Sequence, residues 1–166
     1  DDAFRTLTPV VRGGQQARAV DLVFTADALY FGSDTPREQN WLYRLDRRTG
    51  TVERQQPVAG SVFWGRSTPD GWRLLSTVVE KSTVNTSHDA ELWAAPPGRD
   101  EWRCVFRARK DWLHDKYFDH GQLRLPAGPG QPGVVWVTPY AVHGDQRSRK
   151  IELAESWRAA PSGAVQ

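Results

Sequence analysis

Trp41-Leu42-Tyr43-Arg44-Leu45-Asp46-Arg47-Arg48-Thr49-Gly50-Thr51-Val52-Glu53-Arg54 reads as two short strands joined by a tight turn. Thr49-Gly50 supplies the backbone geometry that a short hairpin loop requires. The same order returns downstream: Glu91-Leu92-Trp93-Ala94, then Pro96-Pro97-Gly98-Arg99-Asp100, then Trp102 to Phe106. Leu42 and Val52 stand ten residues apart across their hairpin, and so do Leu92 and Trp102. An aromatic residue follows each Leu, Tyr43 in one copy and Trp93 in the other. This internal copy decides the fold class, because repeats of this length mean stacked units.

Working outward, each hairpin gains two strands before it. Val20, Leu22 and Phe24 alternate along one face and Ala28-Leu29-Tyr30-Phe31 follows. Ser61-Val62-Phe63-Trp64, the turn Thr68-Pro69-Asp70-Gly71 and Trp72 to Val79 repeat that order. A third, partial copy has Gln122 to Leu125, a Gly/Pro turn over 127–133, Val134-Val135-Trp136-Val137 and Lys150 to Leu153. Strands are expected near 18–24, 28–33, 41–46, 51–57, 61–66, 72–79, 91–95, 102–108, 122–126, 134–139 and 149–154. The unit is thus four strands, a to d, recurring at roughly 50 residues, the pattern of a β-propeller blade. The fold class is all-β, with a β-sandwich as the alternative. Residues 18–58, 59–110 and 111–157 form three blades, the last incomplete, and 158–166 is a tail. Trp157-Arg158-Ala159-Ala160-Pro161 reads as a weak outer strand. Residues 1–12 hold an orphan outer strand, Phe4 to Val10, which resembles Val52 to Val58. Three blades do not close an ordinary ring. The rest of a longer chain, or a homo-oligomer, would complete it.

Composition narrows the function classes. The net charge is +2 from 22 basic and 20 acidic residues, interspersed, without the clustered excess that nucleic acid requires. No apolar run approaches the ~20 residues of a membrane span. The chain has no Met, as expected of a processed product or a piece of something longer. Cys104 is the single cysteine, so no disulfide forms within the chain. Alternation places it on one face with Trp102 and Phe106, where a buried, inert thiol is expected. Asn85-Thr86-Ser87 matches the short glycosylation sequon.

Tyr30-Phe31-Gly32-Ser33-Asp34-Thr35-Pro36 and Asn40 to Gly50 resemble the blade pattern of sialidase-like (BNR or Asp-box) propellers. Ser67-Thr68-Pro69-Asp70-Gly71-Trp72 and Pro97-Gly98-Arg99-Asp100-Glu101-Trp102 resemble degenerate Asp-box turns. The resemblance spans roughly residues 18 to 154. It implies that these turns are structural and lie away from the ligand site. The three Arg, the Tyr–Glu pair and the Asp of true sialidases have no residue-by-residue counterpart in this chain.

In a propeller the b–c and d–a connections share one face. Here the b–c connections are 33–40, 80–90 and 140–148, and 110–120 is a d–a connection. They are polar and hold all four His, which makes them the expected ligand face. Asp34 and Glu80 follow their b strands at matching places and are candidate acid and base, with Tyr140 as a further catalytic candidate. Asn40, His88, Asp89, His114, Asp115, Tyr117, His120, His143 and Asp145 are candidate ligand-binding residues. Aromatic faces beside Asp, Asn and His suit sugars, whose C–H faces stack and whose hydroxyls bond carboxylates. The His–Asp pairs lack the i, i+4 spacing of a helical zinc site, so no metal and no cofactor are expected. The expected partner is a glycan or small polar ligand. A non-catalytic protein-interaction propeller is the second reading, and a metal-assisted hydrolase or lyase the third.

Overall fold

The structure is a computed structural model that describes residues 19–33, 39–59, 61–80, 88–108, 123–124, 131–139 and 148–161. Within them the chain forms three antiparallel sheets and one short helix. The first sheet is β1 (Ala19–Phe24), β2 (Ala28–Ser33), β3 (Gln39–Asp46) and β4 (Val52–Ala59), in chain order. The second repeats that order with β5 (Ser61–Ser67), β6 (Arg73–Glu80), β7 (His88–Ala95) and β8 (Arg103–Ala108). The third has β9 (Leu123–Arg124), β10 (Val134–Pro139) and β11 (Arg149–Glu152), followed by α1 (Leu153–Ala159).

The copy extends to irregularities that the sequence pattern does not reveal. Leu42 faces Gln56 and Tyr43 faces Arg54, so Gln55 is an extra residue in β4. Leu92 faces Phe106 and Trp93 faces Cys104, so Val105 is the matching extra residue in β8. The first strands share a second bulge, at Asp21 in β1 and Phe63 in β5. A bulge inserts one residue and changes which side chain faces which way. This corrects one expectation of strict alternation. Cys104 packs with Trp93 and Trp102, whereas Phe106 packs on the other side of the sheet.

The sheets stack face to face. Ala28, Tyr30, Leu42 and Val58 of the first sheet meet Leu75, Trp93, Ala95 and Trp102 of the second. The other face of the second sheet, with Leu74, Leu92 and Ala94, meets Val135, Val137 and Ile151 of the third. Hence Leu74-Leu75 and every residue from Leu92 to Ala95 are buried: a sheet covered on both faces reads as a continuous apolar run. The first strands, β1 and β5, make the most extensive contact between the first two sheets.

Residues 153–159 correct the outer strand expected at 157–161 and the strand end expected at 154. Leu153 and Trp157 are four apart and both buried, with the helix formers Ala154, Glu155, Arg158 and Ala159 between and after them. The Trp157 indole donates to Glu101 O at 3.2 Å, and Arg103 lies 4.0 Å over its ring. Arg103 also donates to the Trp157 and Ala160 carbonyls at the end of the helix, at 3.2 and 3.1 Å. The helix is thereby fixed to the start of β8.

Between the first two sheets lies a polar clasp. The Tyr30 hydroxyl donates to Asp100 and accepts from Arg73. Arg73 lies 2.7 Å from Asp100 and donates to the Pro96 and Arg99 carbonyls. Trp102 packs edge-on against Tyr30 at 5.4 Å, and Gln56 pairs through both side-chain ends with the Trp102 backbone. Burial, then the hydrogen bond to Asp100, pushes the Tyr30 hydroxyl up to about 12, against the Arg73 charge. Its unfolded value is ~10, so the proton is held more tightly in the folded state. The resulting stability is complete below about pH 10 and is lost as pH rises through about 12. Alkaline unfolding should therefore steepen in that window for the wild type and not for Tyr30→Phe. Matching alkaline limbs in a denaturation series would show that the hydroxyl is not so held.

Candidate functional site

Contacts between turns fix which ends of the sheets coincide. Tyr30 and Arg44, near the short-turn end of the first sheet, meet Arg73 and Asp100 at the short-turn end of the second. Asp70, in the turn before β6, accepts the Gly133 N–H at 2.6 Å, and Gly133 lies in the turn before β10. Gly71 holds that turn with φ of +86°, and an added Cβ would come within 3.3 Å of Pro97. The three short-turn ends are thus tied side by side. In antiparallel sheets the alternate connections leave from the other end. For these sheets they join Ser33 to Gln39, Glu80 to His88 and Pro139 to Arg149.

The candidate residues divide accordingly. Glu80 is the last residue of β6 and His88 the first of β7, and they are direct cross-strand partners. Asp89 follows, opposite Val79. Asn40 lies in β3 opposite Val58. His88, Asp89 and Asn40, expected in loops, therefore belong to strands: ladder pairing carries β7 and β3 further toward this end than the polar composition suggests. Asp34, Tyr140, His114, Asp115, Tyr117, His120, His143 and Asp145 lie outside the described residues.

A buried charged residue of β7 escaped sequence reasoning, as did Arg73 of the clasp. Glu91 is 2% exposed in the middle of β7. Arg107, its cross-strand partner, reaches it at 2.6 Å, and the Trp93 indole donates to it at 3.1 Å. Thr77 is the cross-strand partner on the other side. Its hydroxyl is fully buried without a hydrogen-bond partner among the described residues. A buried carboxylate needs such pairing to remain charged. The signal was present in sequence: a lone Glu enters an apolar strand, and an Arg stands opposite once the hairpin is in register.

The clasp around Tyr30 is a poor centre for chemistry. A phenol pushed up to about 12 is a neutral donor at ordinary pH, the opposite of an activated nucleophile. Cys104 is equally unsuited to attack. Its thiol is pushed up to about 12, by burial first and the Glu91 charge second. Its side chain is half-buried, less enclosed than alternation suggests, and its sulfur lies 3.4 Å from Phe106 O. Thiol reagents should label Cys104 slowly in the native protein and rapidly after denaturation. Rapid stoichiometric native labelling would contradict this placement.

Among the described residues no helix is long and apolar enough to cross a membrane. Comparison with protein-family models, curated proteins and solved structures finds no match.

Proposed function

We infer that the three sheets are blades of a β-propeller, and that the chain is a carbohydrate-associated module. It binds a glycan, or acts on one, through the end where the β2–β3, β6–β7 and β10–β11 connections emerge. The observation that carries this reading is the alignment of the sheets. Two four-stranded units repeat down to their bulges, and the short turns of all three sheets are tied together at one end. Glu80 and His88 end their strands at the opposite end, and in the sequence Asp34, Tyr140 and His143 belong to the connections that follow such strand ends. Asp70 and Asp100, in the turns that resemble Asp boxes, bond to neighbouring sheets, Asp70 to the Gly133 N–H and Asp100 to the Tyr30 hydroxyl. That is the structural role the sialidase-like resemblance implies, and it leaves the other end for ligand. Paired Glu80 and His88 offer a carboxylate and an imidazole at adjacent strand ends, a set that suits sugar hydroxyls and proton transfer.

Screening the 166-residue chain on a glycan array tests the reading. Binding to a defined set of glycans is expected, weakened at least tenfold by Glu80→Gln with an unchanged melting temperature. That substitution keeps the size and removes the charge. An array without binders, or a Glu80→Gln protein that is less stable yet binds normally, would overturn the reading and favour a protein-interaction module.

A further inference from the structure

Of the Trp side chains that the structure describes, Trp72, Trp93, Trp102 and Trp157 are buried, and Trp41 is half-buried under Arg54. Trp136 is 46% exposed, and its surroundings differ from theirs. Val135, Val137 and Ile151 face the second sheet. Alternation then turns Trp136 and Thr138 of β10, and Lys150 and Glu152 of β11, to the outward face of the third sheet. Lys150 is the cross-strand partner of Trp136. It pairs with Glu152 at 2.6 Å, and both side chains are about half exposed. On the other side of the ring the Thr138 and Ser148 hydroxyls share an exposed hydrogen bond at 2.8 Å. The indole is thus set on a sheet surface between an ion pair and a pair of hydroxyls.

We propose that this face is a second carbohydrate contact, at which one pyranose ring of a neutral glycan stacks on Trp136. The inference rests on the carbohydrate reading above, but it uses a sheet face rather than the strand ends. Size is the first argument. The apolar surface is a single indole beside a half-buried Val134, far short of the about 800 Å² per partner of a stable protein interface. One indole matches one sugar ring. A pyranose with equatorial hydroxyls presents C–H groups on its faces, and the electron-rich indole face attracts them. Charge is the second argument. Lys150 and Glu152 cancel, which favours a neutral ligand over an acidic or a basic one. The pair stays intact on binding, because one sugar hydroxyl donates to the Glu152 carboxylate while another accepts from the Lys150 ammonium. The third argument is the hydroxyl pair. Thr138 and Ser148 each keep lone pairs beyond their mutual bond, so they extend the polar rim on the far side of the ring. A sugar therefore finds an apolar centre with polar partners along its edge.

Calorimetric titration of the 166-residue chain with cellohexaose, a soluble neutral chain of β-linked glucose with equatorial hydroxyls, tests this. The wild type should bind it, and Trp136→Ala should weaken binding about tenfold, which is about 1.4 kcal/mol. Trp136→Phe keeps a ring and should fall between the two. Glu80→Gln should leave this affinity unchanged. The melting temperature of Trp136→Ala should stay close to the wild type, because the side chain it removes lies at the surface. Three results would overturn the inference: a wild type that does not bind cellohexaose, an affinity unchanged in Trp136→Ala, or a wild type of twice the 18.8 kDa chain mass that falls to the single-chain mass in Trp136→Ala. The last would show that a second copy, not a sugar, covers the ring. A cellohexaose affinity that falls in Glu80→Gln and holds in Trp136→Ala overturns this contact alone. The carbohydrate reading itself would fail separately, on an array without binders.

Discussion

Trp102→Ala is expected to destabilise the protein by about 3–5 kcal/mol, the cost of truncating a fully buried aromatic side chain. Trp102 is fully buried between the first two sheets. Its ring is the edge-on partner of Tyr30, so truncation opens a cavity where the two sheets meet. Rigid β-strands on both sides limit collapse into that cavity. Trp102→Phe should cost clearly less. It retains a ring and removes an indole N–H that is buried without a hydrogen-bond partner among the described residues. Urea unfolding of both variants measures the difference from the midpoints at constant slope. A loss below about 1 kcal/mol for Trp102→Ala would mean that the sheets do not close over this ring.

Asp100→Asn should cost about 2–3 kcal/mol, somewhat less than breaking a fully buried ion pair, because its side chain is 46% exposed. The substitution leaves Arg73, which is buried, beside Arg44 without the carboxylate on which both converge. Burial alone would raise the Asp100 carboxyl. Hydrogen bonds from Tyr30 and Arg73, and the charges of Arg73 and Arg44, outweigh burial and hold it below its ordinary value. A depressed carboxyl stabilises the fold above its unfolded pKa, and that contribution vanishes as pH falls through the folded value. The stability curves of wild type and Asp100→Asn should therefore be separate near neutrality and converge in acid. A constant gap down to the acid limit would place the effect elsewhere.

Strand positions were readable because turn residues bracket them. Gly50 and Gly98 sit in matching hairpins, both with positive φ, and Leu42 and Leu92 mark the same rung of two sheets. The bulges were not readable, because an inserted Gln55 or Val105 leaves composition unchanged and shows only in pairing. The helix was missed because Trp157 suits a strand as well as a helix. Only its spacing of four from Leu153, and the carbonyls it offers to Arg103, separate the two. At the candidate site, the clustering of polar residues between strands was visible. Which of them belong to strands was not: His88 and Asp89 look like loop residues, yet they pair with Glu80 and Val79. Glu91 and Arg73 were overlooked for the opposite reason. Each is a charge inside an apolar strand, and its partner, Arg107 or Asp100, becomes visible only when strands or sheets are brought together.

The most direct test of the central claim is an amide chemical-shift titration of the chain with a glycan selected on the array. Shifts are expected at the strand ends Ser33, Gln39, Glu80, His88 and Arg149, with the turns at Gly50, Gly71 and Gly98 unmoved. Shifts confined to those glycine turns would place the ligand at the clasped end and contradict the assignment.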